Sequence, residues 1–195
     1  EGTRLWGISV GIAMLVVAVC SPVLGAIADF SGTKKRFLLF YTSLAVVFTA
    51  MLFWVRDGNV VLGMLFFILA EIGYRSAQVF YNSLLTEIAA PEEMGRISGI
   101  GWAIGSAGGI LCLLLVLPLI MLFEGSLMVR ISFIITGIYF AAFTVPLFLW
   151  LRERTDGREL PKGENYLSVG FRQTWSTLRA VRDYGEFIKF VAAFL

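Results

Sequence analysis

Four polar residues interrupt a long apolar stretch at helical spacing: Glu71, Arg75, Gln78 and Asn82, set 4, 3 and 4 residues apart. At about 100° per residue they fall within about 60° of one another, on one face of a helix. Tyr74 and Tyr81 flank that face. Glu71 precedes Arg75 by four positions, the favourable order for an ion pair within a helix. The chemistry on offer is recognition rather than bond-making. One carboxylate and one guanidinium match a small solute that carries both signs, and the amides and phenols add hydrogen bonds. Two uses fit this row: lining a wet cavity, or forming a polar zipper that fixes helix packing. Bond-breaking chemistry has no candidates. The chain contains no histidine. Cys20 and Cys112 lie within apolar runs and lack metal-ligand spacing. No serine sits on a recognisable nucleophile turn. No metal, no cofactor and no enzymatic activity are expected.

The elements that must hold these residues are membrane spans. Of the 195 residues 58% are hydrophobic and only 15% are charged, and mean hydropathy is +0.82. Ordinary soluble chains are about 45–50% apolar and about 25% charged. One soluble core cannot hide this excess, so it must face lipid. A net charge of +2 gives no reason to expect nucleic acid as a partner. Five apolar segments are long enough to cross a bilayer, near residues 5–28, 37–55, 60–85, 97–123 and 131–151, since a core about 30 Å thick needs ~20 helical residues. The polar row lies near the middle of the third. A charge at that depth costs about 2.5–3.5 kcal/mol on insertion scales, so the row should face the bundle interior or a wet cavity.

Basic residues set the orientation. Lys34, Lys35, Arg36 and Arg96, with seven more between Arg152 and Arg182, fall on one side, against Arg4, Arg56 and Arg130 on the other. The richer side is expected to be cytoplasmic. Glu1 then starts outside without a signal peptide, which reads as an internal piece whose first helix and C-terminal half are missing. Residues 152–186 form a long polar connection on the cytoplasmic side. Within it Phe171, Trp175, Leu178 and Val181 recur at helical spacing beside Arg172, Arg179 and Arg182. That pattern predicts an amphipathic helix, either lying on the membrane face or packed on the bundle. Residues 187–195 begin another apolar run.

Two glycine patterns stand out. In the fourth span Gly101, Gly105 and Gly109 are four apart and make a groove for helix packing. In the turn after the first span, Gly25 permits close helix approach, Asp29 ends the span, Gly32 allows a tight reversal, and Lys34, Lys35 and Arg36 anchor to lipid phosphates. Pro22, Pro118 and Pro146 each lie inside a span and permit a kink.

The turn motif Gly-x3-Asp-x2-Gly-x-Lys, here Gly25, Asp29, Gly32 and Lys34, resembles the signature loop of the major facilitator superfamily, which joins the second and third helices of that fold. Phe30 and Thr33 stand where that family often has basic residues. Residues 81–89, YNSLLTEIA, and 95–105, GRISGIGWAIG, resemble the vacuole effluxer branch, whose eukaryotic members export amino acids from the vacuole and which has many bacterial relatives. The resemblance implies an all-α integral membrane bundle of the facilitator fold, mostly its N-terminal half. In that fold the loop at Gly25–Lys34 latches the two halves together in the outward-open state. The function implied is secondary-active transport of a small solute, amino-acid efflux being one form, with Glu71, Arg75, Gln78, Asn82, Tyr74 and Tyr81 near mid-membrane. The alternative is a scaffold or receptor that transports nothing. Expected partners are the lipid bilayer, a small-molecule substrate and the remainder of the same protein. The expected location is a bacterial plasma membrane or, alternatively, an organelle membrane.

Overall fold

Backbone groups in hydrocarbon have no water to pair with, so an apolar run that enters lipid closes its hydrogen bonds within a helix. A computed structural model describes residues 2–30, 32–56, 58–90, 92–123, 125–151 and 163–181. It shows helices α1 (Gly2–Phe30), α2 (Lys34–Met51), α3 (Val60–Ile88), α4 (Met94–Leu122), α5 (Ser126–Trp150) and α6 (Tyr166–Val181), with one 3₁₀ turn, Leu52–Trp54, after α2. Among the described residues there is no strand. Five helices are long and apolar enough to cross a membrane. Residues 152–162 and 182–195, including the expected further span at 187–195, lie outside the described residues.

The helices outrun the uncharged segments. α1, α3 and α4 each contain 29 residues, about 43 Å at 1.5 Å per residue. A hydrocarbon core near 30 Å leaves a turn or two at each end in the headgroup region. Pro22, Pro118 and Pro146 lie inside continuous helices. The reversal after α1 is made at Gly32, whose φ of 58° is left-handed and suits a residue without Cβ. At the opposite end, Arg130 of α5 donates from Nε to the Phe53 carbonyl at 2.5 Å. Its guanidinium also covers the Phe53 ring at 4.8 Å, which ties the 3₁₀ turn to α5.

α3 is the centre of the bundle. It packs against α2 and α1, while α5 packs on α2; α4 holds to α5 and only lightly to α3, and α6 lies against α1. Water does not drive helices together in lipid, so close van der Waals packing between small residues must do so. The buried residues of α3 show this seam: Phe66, Ala70, Ser76, Ala77, Phe80 and Leu84. Gly73 lies in the same seam. A Cβ there would stand 2.7 Å from the Ala45 nitrogen and 2.9 Å from the Tyr41 oxygen, so only glycine lets α2 and α3 approach this closely. Toward the Lys34 end, Leu24, Ala28 and Leu38 close around Ala77, Phe80 and Leu84. The Phe80 ring stacks on Phe37 at 5.3 Å and on Tyr41 at 5.8 Å.

Two expectations about this packing are corrected. Gly25 does not bring helices together: a Cβ there would meet nothing within 4 Å. The basic triplet is not a lipid anchor as a whole. Lys34 pairs with Glu87 at 2.6 Å, and Lys35 Nζ donates to the Leu151 carbonyl at 2.6 Å. That contact caps the C-terminal end of α5, where carbonyls lack intrahelical partners and cations are favoured. Arg36 alone of the three is exposed.

Candidate functional site

The polar row of α3 lies on the face opposite its packed seam. Taking Glu71 as origin, Glu71, Arg75, Gln78 and Asn82 centre near 10°, whereas Gly73, Ala77, Phe80 and Leu84 centre near 210° at about 100° per residue. Because α1 and α2 cover the seam, the row is turned away from both. Arg75 Nε donates to Glu71 Oε1 at 2.8 Å, and the two side chains are 38% and 20% exposed. The midpoint of Val60–Ile88 is Tyr74, so the pair brackets the middle of the helix. Gln78 Nε2 donates to the Tyr74 hydroxyl at 3.0 Å. Glu71, Arg75, Tyr74 and Gln78 thus form two adjoining hydrogen-bonded pairs within two helical turns. Asn82 is exposed one turn further on.

One flank of the row is walled. The Tyr74 ring meets Phe140 of α5 edge-on at 6.3 Å. The Tyr81 hydroxyl lies 3.2 Å from where a Gly101 Cβ would stand. On α4, Gly101 therefore fits beneath Tyr81, while a Cβ at Gly105 or Gly109 would meet nothing within 4 Å. No described helix occupies that part of the glycine groove, and no residue of α4 is buried. The Tyr139 hydroxyl fastens α5 to α4 by donating to the Gly108 carbonyl at 2.9 Å. The result is a polar patch at mid-helix with walls on one side and an open face in front.

Chemically, Arg75 gives one of its five N–H donors to Glu71. The fork at its far end has no partner among the described residues and suits a carboxylate or another planar anion. Glu71 Oε2 is left to accept from a cationic group. Among the described residues no group of His, Cys, Asp and Glu side chains could hold a metal ion.

The turn residues form a second cluster at the basic end. Asp29 is exposed in the last turn of α1, where a helix C-terminus disfavours negative charge. It has no partner among the described residues. Lys34 and Glu87, by contrast, are 12% and 7% exposed and join the start of α2 to the end of α3. Sequence reasoning placed Lys34 in the turn motif but missed Glu87, which it assigned to the connection after the third span. The available signal was a lone acid in the last turn of an apolar helix, a costly position without a cation beside it.

The family model described as "Vacuole effluxer Atg22 like" matches residues 6–95 and 89–195. The chain belongs to the vacuole effluxer Atg22-like family. An uncharacterized MFS-type transporter, YxiO, of Bacillus subtilis (strain 168) is 27% identical over 201 residues, covering 100% of this chain and 46% of its own length. An uncharacterized protein of Aquifex aeolicus (strain VF5) is 31% identical over 111 residues, covering 57% of this chain and 28% of its own. No solved structure matches. This Atg22-like chain thus spans less than half the length of these curated relatives. It is a multi-pass membrane protein that carries part of a facilitator-type helical bundle.

Proposed function

We propose that this Atg22-like chain forms part of a secondary-active transporter of small solutes that works by alternating access between two helical halves. The observation that carries the reading is the Glu71–Arg75 pair. It sits at the middle of α3, hydrogen-bonded at 2.8 Å, with Arg75 38% exposed on the face away from the packed seam. A zipper that served packing alone would lie in the seam. An ion pair held open at mid-membrane is costly to a bundle, and such residues mark solute and ion paths. Arg75 would hold the anionic group of the solute and Glu71 its cationic group, with Gln78, Tyr74, Asn82 and Tyr81 orienting the rest. The family name supports efflux, and the paired charges suit an amino acid. The latch at Gly25, Asp29, Gly32 and Lys34 would close the basic end, and the bacterial relatives support placement in a plasma membrane.

Flux of radiolabelled amino acids across vesicles holding the complete protein tests this. Saturable flux that is lost in Arg75→Gln is expected. A complete protein that moves no small solute in either direction would leave the scaffold reading in its place.

A further inference from the structure

We infer that α6 is a membrane-embedded element whose Leu167–Phe171–Trp175 face is immersed in the headgroup–acyl boundary of the leaflet at the basic end. The inference is independent of the transport reading, because it concerns where the helix lies and not what the bundle moves.

The helix begins at a reciprocal cap: the Ser168 N–H donates to Asn165 Oδ1 at 2.8 Å, and the Asn165 N–H donates to Ser168 Oγ at 3.2 Å. Three sectors then run along it. The first faces α1. Val169 is 1% exposed, and Gly170 sits so close to α1 that a Cβ would run into the Pro22 carbonyl and stand 3.1 Å from the Val23 Cα. The second holds Leu167, Phe171 and Trp175, one turn apart and 57%, 48% and 69% exposed. The third holds Arg172 and Arg179, centred about 90° further round. Arg172 pairs with Glu164, and Arg179 is exposed.

Depth decides what covers the second sector. Pro22 precedes Asp29, the first charge after the uncharged run of α1, by seven residues, about 10 Å along the helix. The contact with Gly170 therefore falls about 10 Å inside the polar boundary. Interfacial helices bury their apolar face about 5–10 Å below the headgroups. A helix docked at that level presents the second sector to lipid, in continuity with the exposed apolar face of α1 at Val16 and Val19. The arginines then stand on the headgroup side, where cations meet phosphate. A free cytosolic helix would have no reason to carry Trp175 and Phe171 bare, and a helix packed only for structure would turn them onto α1.

The test uses the complete protein with Cys20 and Cys112 replaced by Ala and single spin labels at Phe171→Cys, Trp175→Cys and Ser176→Cys. The labelled protein is reconstituted in phosphatidylcholine vesicles with and without phosphatidylglycerol. Collisions with oxygen, which concentrates in lipid, are compared with collisions with a water-soluble nickel chelate. A severalfold excess of oxygen over nickel collisions at Phe171→Cys and Trp175→Cys, with the reverse at Ser176→Cys, is the expected result. Nickel collisions dominating at all three sites would place the face in water and overturn the inference. Suppressed collisions of both kinds at Phe171→Cys and Trp175→Cys would show protein covering the face and overturn it equally. Adding Gly170→Ala should shift the collision ratio at Trp175→Cys, and an unchanged ratio would sever the link between docking at Pro22 and depth.

Discussion

Replacing Glu87 with Gln removes the charge facing Lys34 and leaves an ammonium that is only 12% exposed. At the observed 2.6 Å and an effective dielectric of about 20, the gross attraction is about 6 kcal/mol. Much of it offsets the desolvation of the two groups. What the variant reveals is therefore the cost of stranding one charge, about 3–5 kcal/mol, and residual access of water to Lys34 puts it near 3 kcal/mol. A domain of 150–250 residues loses roughly 2–4 °C of melting temperature per kcal/mol and a longer chain loses less, so Glu87→Gln should melt several degrees lower. Lys34→Gln should fall similarly. Lys34→Met combined with Glu87→Leu buries no charge and should recover most of the loss, because apolar pairs of similar volume replace buried ion pairs at little cost. The assay is thermal denaturation of the complete protein in detergent, followed by size-exclusion chromatography. Single variants that melt like the parent would show the pair to be solvent-screened. A double variant no better than the singles would show that the loss was packing and not charge.

Other outcomes follow from the same geometry. Gly73→Leu should abolish folding, and Gly73→Ala should lower the melting temperature, because a Cβ would stand 2.7 Å from the Ala45 nitrogen; a normal Gly73→Ala melting curve would remove the α2–α3 close approach from the account. Single cysteines at the exposed Arg36 and Asn59 should differ toward an impermeant thiol reagent on intact cells, Asn59→Cys reacting and Arg36→Cys protected, since basic residues stay cytoplasmic; the reverse pattern would invert the topology. Asp29→Asn should impair transport while leaving the protein's membrane level unchanged, because Asp29 holds nothing within the described bundle; full transport would take Asp29 out of the latch.

The spans were legible because lipid imposes a simple demand, about 20 apolar residues per crossing, and their helical extensions were missed because polar residues continue a helix into the headgroups until Gly32 or a similar break. The pair of Glu71 and Arg75 was legible from spacing alone, since an i,i+4 contact needs nothing beyond the helix itself. Contacts between helices were not. Nothing local in Lys34, Lys35, Glu87 or Leu151 says which of them meet, and nothing local separates Gly25, which no backbone approaches, from Gly73 and Gly170, which other backbones do approach. Ala70, Gly73, Ser76 and Ala77 are small residues on one face of the third span, but small size alone does not say which helix packs there. For the amphipathic stretch the sequence left two placements open. The structure shows packing on α1 through Val169 and Gly170, with Phe171 and Trp175 exposed; the side chains of Leu178 and Val181 lie outside the described residues.

Solute flux and membrane level measured together for Glu71→Gln, Arg75→Gln and the double Glu71→Gln/Arg75→Gln test the central claim most directly. Each single variant strands one charge near mid-membrane and should be less abundant than the parent, while the double removes both and should recover its level. If the pair contacts the solute, the double variant is stable yet inactive, because the charges themselves are then required. A double variant that recovers abundance and flux alike would contradict the account and leave Glu71 and Arg75 as a packing device.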